Sequence, residues 1–115
     1  MTTKSLNQLR DECYQTAKDH GFHDTGASFG DRIALIHSEC SEALEDYRNH
    51  KGFTEVWYEE KPYGSKPCGI PSEIADIVIR CFDLCGIYKI DIEKAVLEKM
   101  AFNHKRPHMH EDKKI

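Results

Sequence analysis

The chain has 115 residues, 31% of them charged and 39% hydrophobic, and a formal net charge of -4. That length supports one domain with a single core. The acidic balance argues against a nucleic-acid polymer as partner, because phosphate contacts along a polymer need a basic surface. A single nucleotide stays open as a ligand, since a bound cation can supply the positive charge locally.

No apolar run is long enough for a membrane span, and MTTKSLNQLR lacks the apolar core of a signal peptide. The five cysteines (13, 40, 68, 81 and 85) contain no CxxC pair. Four of them fall at apolar helical positions, where a free thiol behaves as a small hydrophobe. A reducing cytoplasm is the expected location, with neither disulfides nor a zinc ribbon.

Taken in order, Ser5–His20 reads as a first helix with Leu6, Leu9, Cys13 and Ala17 on one face, ended by Gly21. GFHDTGAS is a turn-rich connection. The second helix is expected to start at Ser28, where Ser28-x-x-Asp31 resembles a capping box, and to run to about Asn49. Its stretch Ile33–Tyr47 carries an apolar stripe (Ile33, Ile36, Cys40, Ala43, Leu44, Tyr47), and the rest of the chain is expected to be arranged around it. Residues 51–71 form a long segment with three of the four prolines, Trp57, Tyr58 and Tyr63. It reads either as an ordered flap with one short turn or hairpin, or as a solvated insertion.

Pro71 suits the opening of a third helix that reaches about Tyr88. That helix is apolar nearly all round and so needs cover on several sides, part of it expected from a second subunit. Its polar exceptions, Glu73, Asp76, Arg80 and Asp83, share one stripe. Asp91 reads as the N-cap of a fourth helix, Ile92–His104, with a tail from about residue 107. No strand pattern competes. The fold expected is therefore all-α, a four-helix bundle in one domain completed by oligomerisation.

The candidate chemistry lies in two acidic pairs. Glu39 and Glu42 are three residues apart on the second helix, and Glu73 and Asp76 repeat that spacing on the third. Four carboxylates are hard oxygen ligands suited to Mg²⁺ or Mn²⁺. The bland alternative is a pair of solvated helix faces. Lys99, Asn103 and Arg106 fall on one side of the fourth helix, a set suited to polyphosphate or, more simply, to complementing the helix dipole.

The segments SECSEAL, GIPSEIADIVIRCFDLCGIY and EKMAFNHKRP resemble, in that order, the ExxE, ExxD and KxxxNxxRP segments of MazG-like nucleotide pyrophosphohydrolases, of the all-α NTP pyrophosphatase superfamily. The resemblance covers roughly residues 28–115. It implies a helical homodimer or homotetramer that hydrolyses a nucleoside triphosphate to the monophosphate and pyrophosphate with Mg²⁺. It also implies Glu39, Glu42, Glu73 and Asp76 as metal ligands, and Lys99, Asn103 and Arg106 as phosphate contacts. The chain departs from the family in its long 51–71 segment and in HEDKK, where many relatives have HGGKK.

Glu39 or Glu42 is expected to act as general base, without a choice between them. His37, Phe29 and Trp57 are candidates for pocket or base contacts, with core packing as the alternative for His37 and Phe29. Asp83 is expected to pair with Arg80 or to reach a subunit contact, and Asp46 reads as a solvated charge. His104, His108 and His110 permit a transition-metal site, a weaker reading. A different class of function, a non-catalytic helical module that binds nucleotide or a protein partner through the same face, fits the same residues.

Overall fold

Residues 3–107 are described in the structure, a computed structural model. In chain order they form α1 (Leu6–Asp19), a 3-10 turn (Phe22–Asp24), α2 (Phe29–Arg48), β1 (Trp57–Lys61), β2 (Gly64–Cys68), α3 (Ile70–Ile87) and α4 (Ile92–Lys105). The tail reading, and with it the metal reading of His108 and His110, lies outside the described residues. No helix among the described residues is long and apolar enough to cross a membrane.

Local chemistry sets the helix ends. Ser5 and Gln8 form a reciprocal capping box at α1, and Ser28 and Asp31 form another at α2, so α2 starts where the sequence places it. Pro71 lies in the opening turn of α3, where its missing N–H costs nothing. The Asp91 carboxylate accepts the Lys94 amide at 3.0 Å and caps α4.

The helices rest on α3 rather than on α2. Both α1 and α2 pack along α3, whereas α4 is joined chiefly to α1. The join is polar and lies at one end of α4: Asn7 donates to Asp91 at 2.9 Å, the Leu6 amide donates to Glu93 at 3.0 Å, and Arg10 donates to the Ile90 carbonyl at 2.9 Å. The most apolar helix thus occupies the centre, as burial of apolar area requires. The expectation that α2 organises the chain is corrected accordingly.

α1 approaches α3 closely at Gly86. A Cβ there would lie 2.6 Å from the Tyr14 Cβ, an atom fixed by the backbone. Gly86→Ala is expected to lower stability by about 1–3 kcal/mol through overpacking, measured by denaturant unfolding. An unchanged midpoint would contradict this packing.

Residues 51–71 are an ordered flap, not an unstructured insertion. β1 and β2 pair antiparallel from Trp57↔Cys68 to Lys61↔Gly64, with Pro62 and Tyr63 in the turn. The fold is therefore mainly helical but not strictly all-α. No strand pattern stands out in WYEEK or GSKPC because neither alternates apolar and polar residues; the tight turn and the contact of β2 with α3 supply the order. Gly69 joins the hairpin to α3 at φ 118, with the Glu55 carbonyl so near that no Cβ fits.

Little of this chain is enclosed. Among the described residues only Cys68, Leu84 and Cys85 form a buried apolar core, while Ile74, Val78 and Ile79 of α3 stay about half exposed. The Cα radius of gyration is 16.7 Å, against about 13 Å for a compact chain of this length.

Candidate functional site

α2 and α3 lie side by side, and the i, i+3 spacing on each aims carboxylates into the seam. Glu39, Glu42 and Glu73 bring one oxygen each within 4.8 Å of one another. Asp76, one turn beyond Glu73, flanks this trio. Burial, and then the charge of Glu39, raise its carboxyl above the usual range. The two acidic pairs therefore meet, with three members forming the tight group and the fourth beside it.

The cost of this convergence falls on Glu73. Burial, together with a hydrogen bond that protonated Glu73 donates to Glu42 and the charges of Glu42, Asp76 and Asp46, pushes its carboxyl up to about 7. Glu73 Oε2 and Asp46 Oδ2 are both buried without a hydrogen-bond partner. Asp46 is thus part of the centre and not the solvated charge the sequence implies. Unpaired buried oxygens cost free energy unless a partner arrives. Orphaned atoms in a set of hard oxygens fit a divalent cation such as Mg²⁺ or Mn²⁺, which Glu39, Glu42 and Glu73 would hold with Asp76 alongside.

Two cations of the chain border the acids. Arg80 Nε donates to Glu39 Oε1 at 2.9 Å, and the Glu39 side chain is only 13% exposed. Lys66 of β2 lies near enough to draw the Asp76 carboxyl downward against its other neighbours. The sequence marks Arg80 as part of the α3 stripe but does not show its cross-helix partner, and nothing in it singles out Lys66.

A cavity of about 360 Å³ opens beside the acids. One face of α1 (Cys13, Thr16, Ala17) and one of α3 (Asp76, Ile79, Arg80, Asp83) form its walls, with Phe22 and Glu39 closing it. At the end away from the acids, the His23 Nε2–H donates to Asp83 Oδ1 at 2.8 Å, both side chains being 16% exposed. Tyr14 packs on the His23 ring at 4.7 Å. Asp83 therefore pairs with His23, not with Arg80.

Other expected site residues lie elsewhere. His37 is exposed, neither in the core nor among the cavity residues. Phe29 packs edge-on against Tyr88 at 5.2 Å, and Trp57 lies beneath Lys51 with its ring beside Gly69. Neither lines the cavity. Lys99 and Asn103 are exposed on α4, and Arg106 is its C-cap, with extended backbone. Lys99 and Arg106 flank the Phe102 ring at 5.5 and 5.7 Å instead of facing the acids. Within one chain the basic trio and the acidic centre are not brought together.

Comparison of the chain with protein-family models, with curated proteins and with solved structures found no match in any of the three.

Proposed function

We propose that this protein is a Mg²⁺-dependent nucleoside triphosphate pyrophosphohydrolase of the MazG-like type, releasing pyrophosphate and a nucleoside monophosphate. The observation that carries this reading is the meeting of Glu39, Glu42 and Glu73 beside a cavity, with a buried Glu73 oxygen left unpartnered. The order of the ExxE, ExxD and KxxxNxxRP segments supports it independently.

A bound divalent cation supplies charge neutralisation and a more acidic water. The chain's own residues divide the remaining work. Arg80 holds the Glu39 side chain in place through the 2.9 Å ion pair. Glu42 is exposed and meets no ion-pair partner among the described residues, so it is the carboxylate that takes the proton from the attacking water. The geometry thereby favours Glu42 over Glu39 as base.

The working form in this reading is a homodimer or homotetramer in the cytoplasm. Leu97, Met100 and Phe102 of α4 are 58%, 60% and 56% exposed, and α4 is tethered at its N-terminal end. Docking on another copy covers these residues and carries Lys99, Asn103 and Arg106 toward that copy's acids.

The test is pyrophosphate release from a panel of ribo- and deoxyribonucleoside triphosphates with Mg²⁺, alongside sedimentation of the active species. Turnover is expected with Mg²⁺ or Mn²⁺, to stop with EDTA, and to belong to a species larger than one 13.3 kDa chain. If no nucleotide is turned over, the non-catalytic binding module is the better reading, one that the exposed apolar surface also suits.

A further inference from the structure

We propose that Lys66, carried by the β1–β2 hairpin, is a phosphate-binding residue that takes the terminal phosphates of the substrate, the pair that leaves as pyrophosphate. The substrate in this assignment rests on the hydrolase reading above. The placing of Lys66 rests on the hairpin, which that reading does not use.

The register of the hairpin decides which way Lys66 faces. Residues opposite one another in an antiparallel pair share a face, and so do residues two apart on one strand. Trp57 stands opposite Cys68, and Glu59 opposite Lys66, so these four form one face. A contact agrees: the Cys68 thiol donates to Glu59 Oε2 at 3.4 Å. This face is turned to the helices. Cys68 is one of the buried core residues, and the Trp57 ring lies 3.4 Å from where a Cβ on Gly69 would stand.

The same face meets the acids. Burial, then the hydrogen bond and charge of Glu59, push the Cys68 thiol up, and the charge of Glu73 adds to them. Burial and Glu39 raise the Asp76 carboxyl, while Arg80 and then Lys66 draw it down. The end of β2 thus adjoins Glu73, and Lys66, two residues back, comes beside Asp76. Glu59 is occupied by the Cys68 thiol. Lys66 is exposed and makes no ion pair among the described residues, not even with Glu59 across the ladder. An ammonium group placed there is available to a ligand anion.

Charge and position favour the terminal phosphates. Glu39, Glu42, Glu73 and Asp76, when ionised, carry more charge than one divalent cation neutralises, so a polyphosphate arriving there needs a further cation. Arg80 gives its Nε to Glu39, and within one chain Lys99 and Arg106 flank Phe102 instead. Lys66 stands uncommitted. The cavity runs from Asp76 toward Asp83, along α3 to its C-terminal end, whereas Lys66 belongs to the strand that leads into the N-terminal end. A nucleotide whose nucleoside lies in the cavity therefore has its α-phosphate over the acids and its β- and γ-phosphates toward Lys66. There the ammonium group stabilises the charge that grows on the leaving pyrophosphate.

Lys66→Met keeps the length of the side chain and removes its charge. The position is exposed, so the melting temperature is expected to stay level. The readouts are KM and kcat for the best nucleoside triphosphate of the panel in Mg²⁺, and calorimetric affinity for inorganic pyrophosphate and for the matching monophosphate. Lys66→Met is expected to raise KM and weaken pyrophosphate by about tenfold to a hundredfold, to lower kcat, and to leave monophosphate affinity within about twofold. Lys66→Arg is expected to restore most of the loss. Lys61→Met removes the same charge about 7 Å farther along the same face, and is expected to change none of these values by more than about twofold. A folded Lys66→Met protein with wild-type KM and pyrophosphate affinity overturns the assignment and leaves the hydrolase reading standing. So does an equal loss for monophosphate and pyrophosphate, or an equal loss in Lys61→Met, since either means attraction at a distance and not a contact. Pyrophosphate binding that depends on Lys66, in a protein that turns over no triphosphate, does the reverse: the role of the lysine stands and the hydrolase reading falls.

Discussion

Glu42→Gln is expected to lower pyrophosphate release by about 10³-fold, the range lost with a positioned general base, while the protein remains folded. Glutamine keeps the size of the side chain but can neither take a proton nor offer a charged oxygen to a cation. Glu42 is exposed on α2 and packs into no core, so its replacement leaves no cavity. The substitution also removes one of the carboxylates that raise Glu73. The melting temperature without metal is therefore expected to stay level or to rise. Loss of turnover together with unchanged or greater stability separates a chemical role from a structural one. Steady-state kinetics and a thermal melt on the same preparation check it; a fully active variant removes Glu42 from the centre. Glu39→Gln carries a different signature, because it breaks the 2.9 Å ion pair with Arg80 and so loses stability as well as activity.

The local signals in the sequence translate directly into structure. Ser28, Pro71 and Asp91 open helices because each meets a backbone requirement within one turn, and such requirements need no knowledge of distant residues. The i, i+3 acids are legible for the same reason: spacing alone puts Glu39 and Glu42 on one side of α2. That the two pairs face each other is a tertiary fact, and the apolar stripes make it plausible without fixing it.

What the sequence does not reveal is long-range. Arg80 reaches Glu39 across a separation of 41 residues, and His23 reaches Asp83 across 60. No periodicity encodes either contact. The prolines, glycines and aromatics of residues 51–71 point to an ordered flap with a short turn or hairpin, but its strand bounds are not legible, because their order comes from the tight turn and from α3 and not from alternation. Spacing correctly aligns Lys99 and Asn103 on α4, yet it is silent on where that helix points. α4 is held to α1 only at its N-terminal end, and Lys99 and Arg106 flank Phe102 and not the acids in a single chain. That separation is the reason the proposed assembly has α4 of one copy approaching the centre of another.

Glu73→Gln is expected to make the metal-free protein more stable at pH 8 by about 1–2 kcal/mol, and to leave it unchanged near pH 4.5. In the folded chain the Glu73 carboxyl is held at about 7, above its ordinary value of 4.5, first by burial and then by Glu42, Asp76 and Asp46. A group raised in this way binds its proton more tightly in the folded state than in the unfolded one. Between the two values the folded protein holds more protons, so stability falls as pH climbs from about 4.5 and levels off above about 7. The full shift corresponds to roughly 3 kcal/mol, and solvent screening of a partly exposed side chain brings it down to the range given. Glutamine never ionises and avoids the penalty. A divalent cation offsets it differently, by giving the ionised oxygens their missing partner, so Mg²⁺ is expected to raise the wild-type melting temperature more at pH 8 than at pH 5.5. Denaturant unfolding in EDTA across this pH range, repeated with Mg²⁺, measures both effects. A gap between wild type and variant that does not change with pH means that Glu73 titrates like any solvated glutamate. The crowding of carboxylates on which the metal site depends would then be absent.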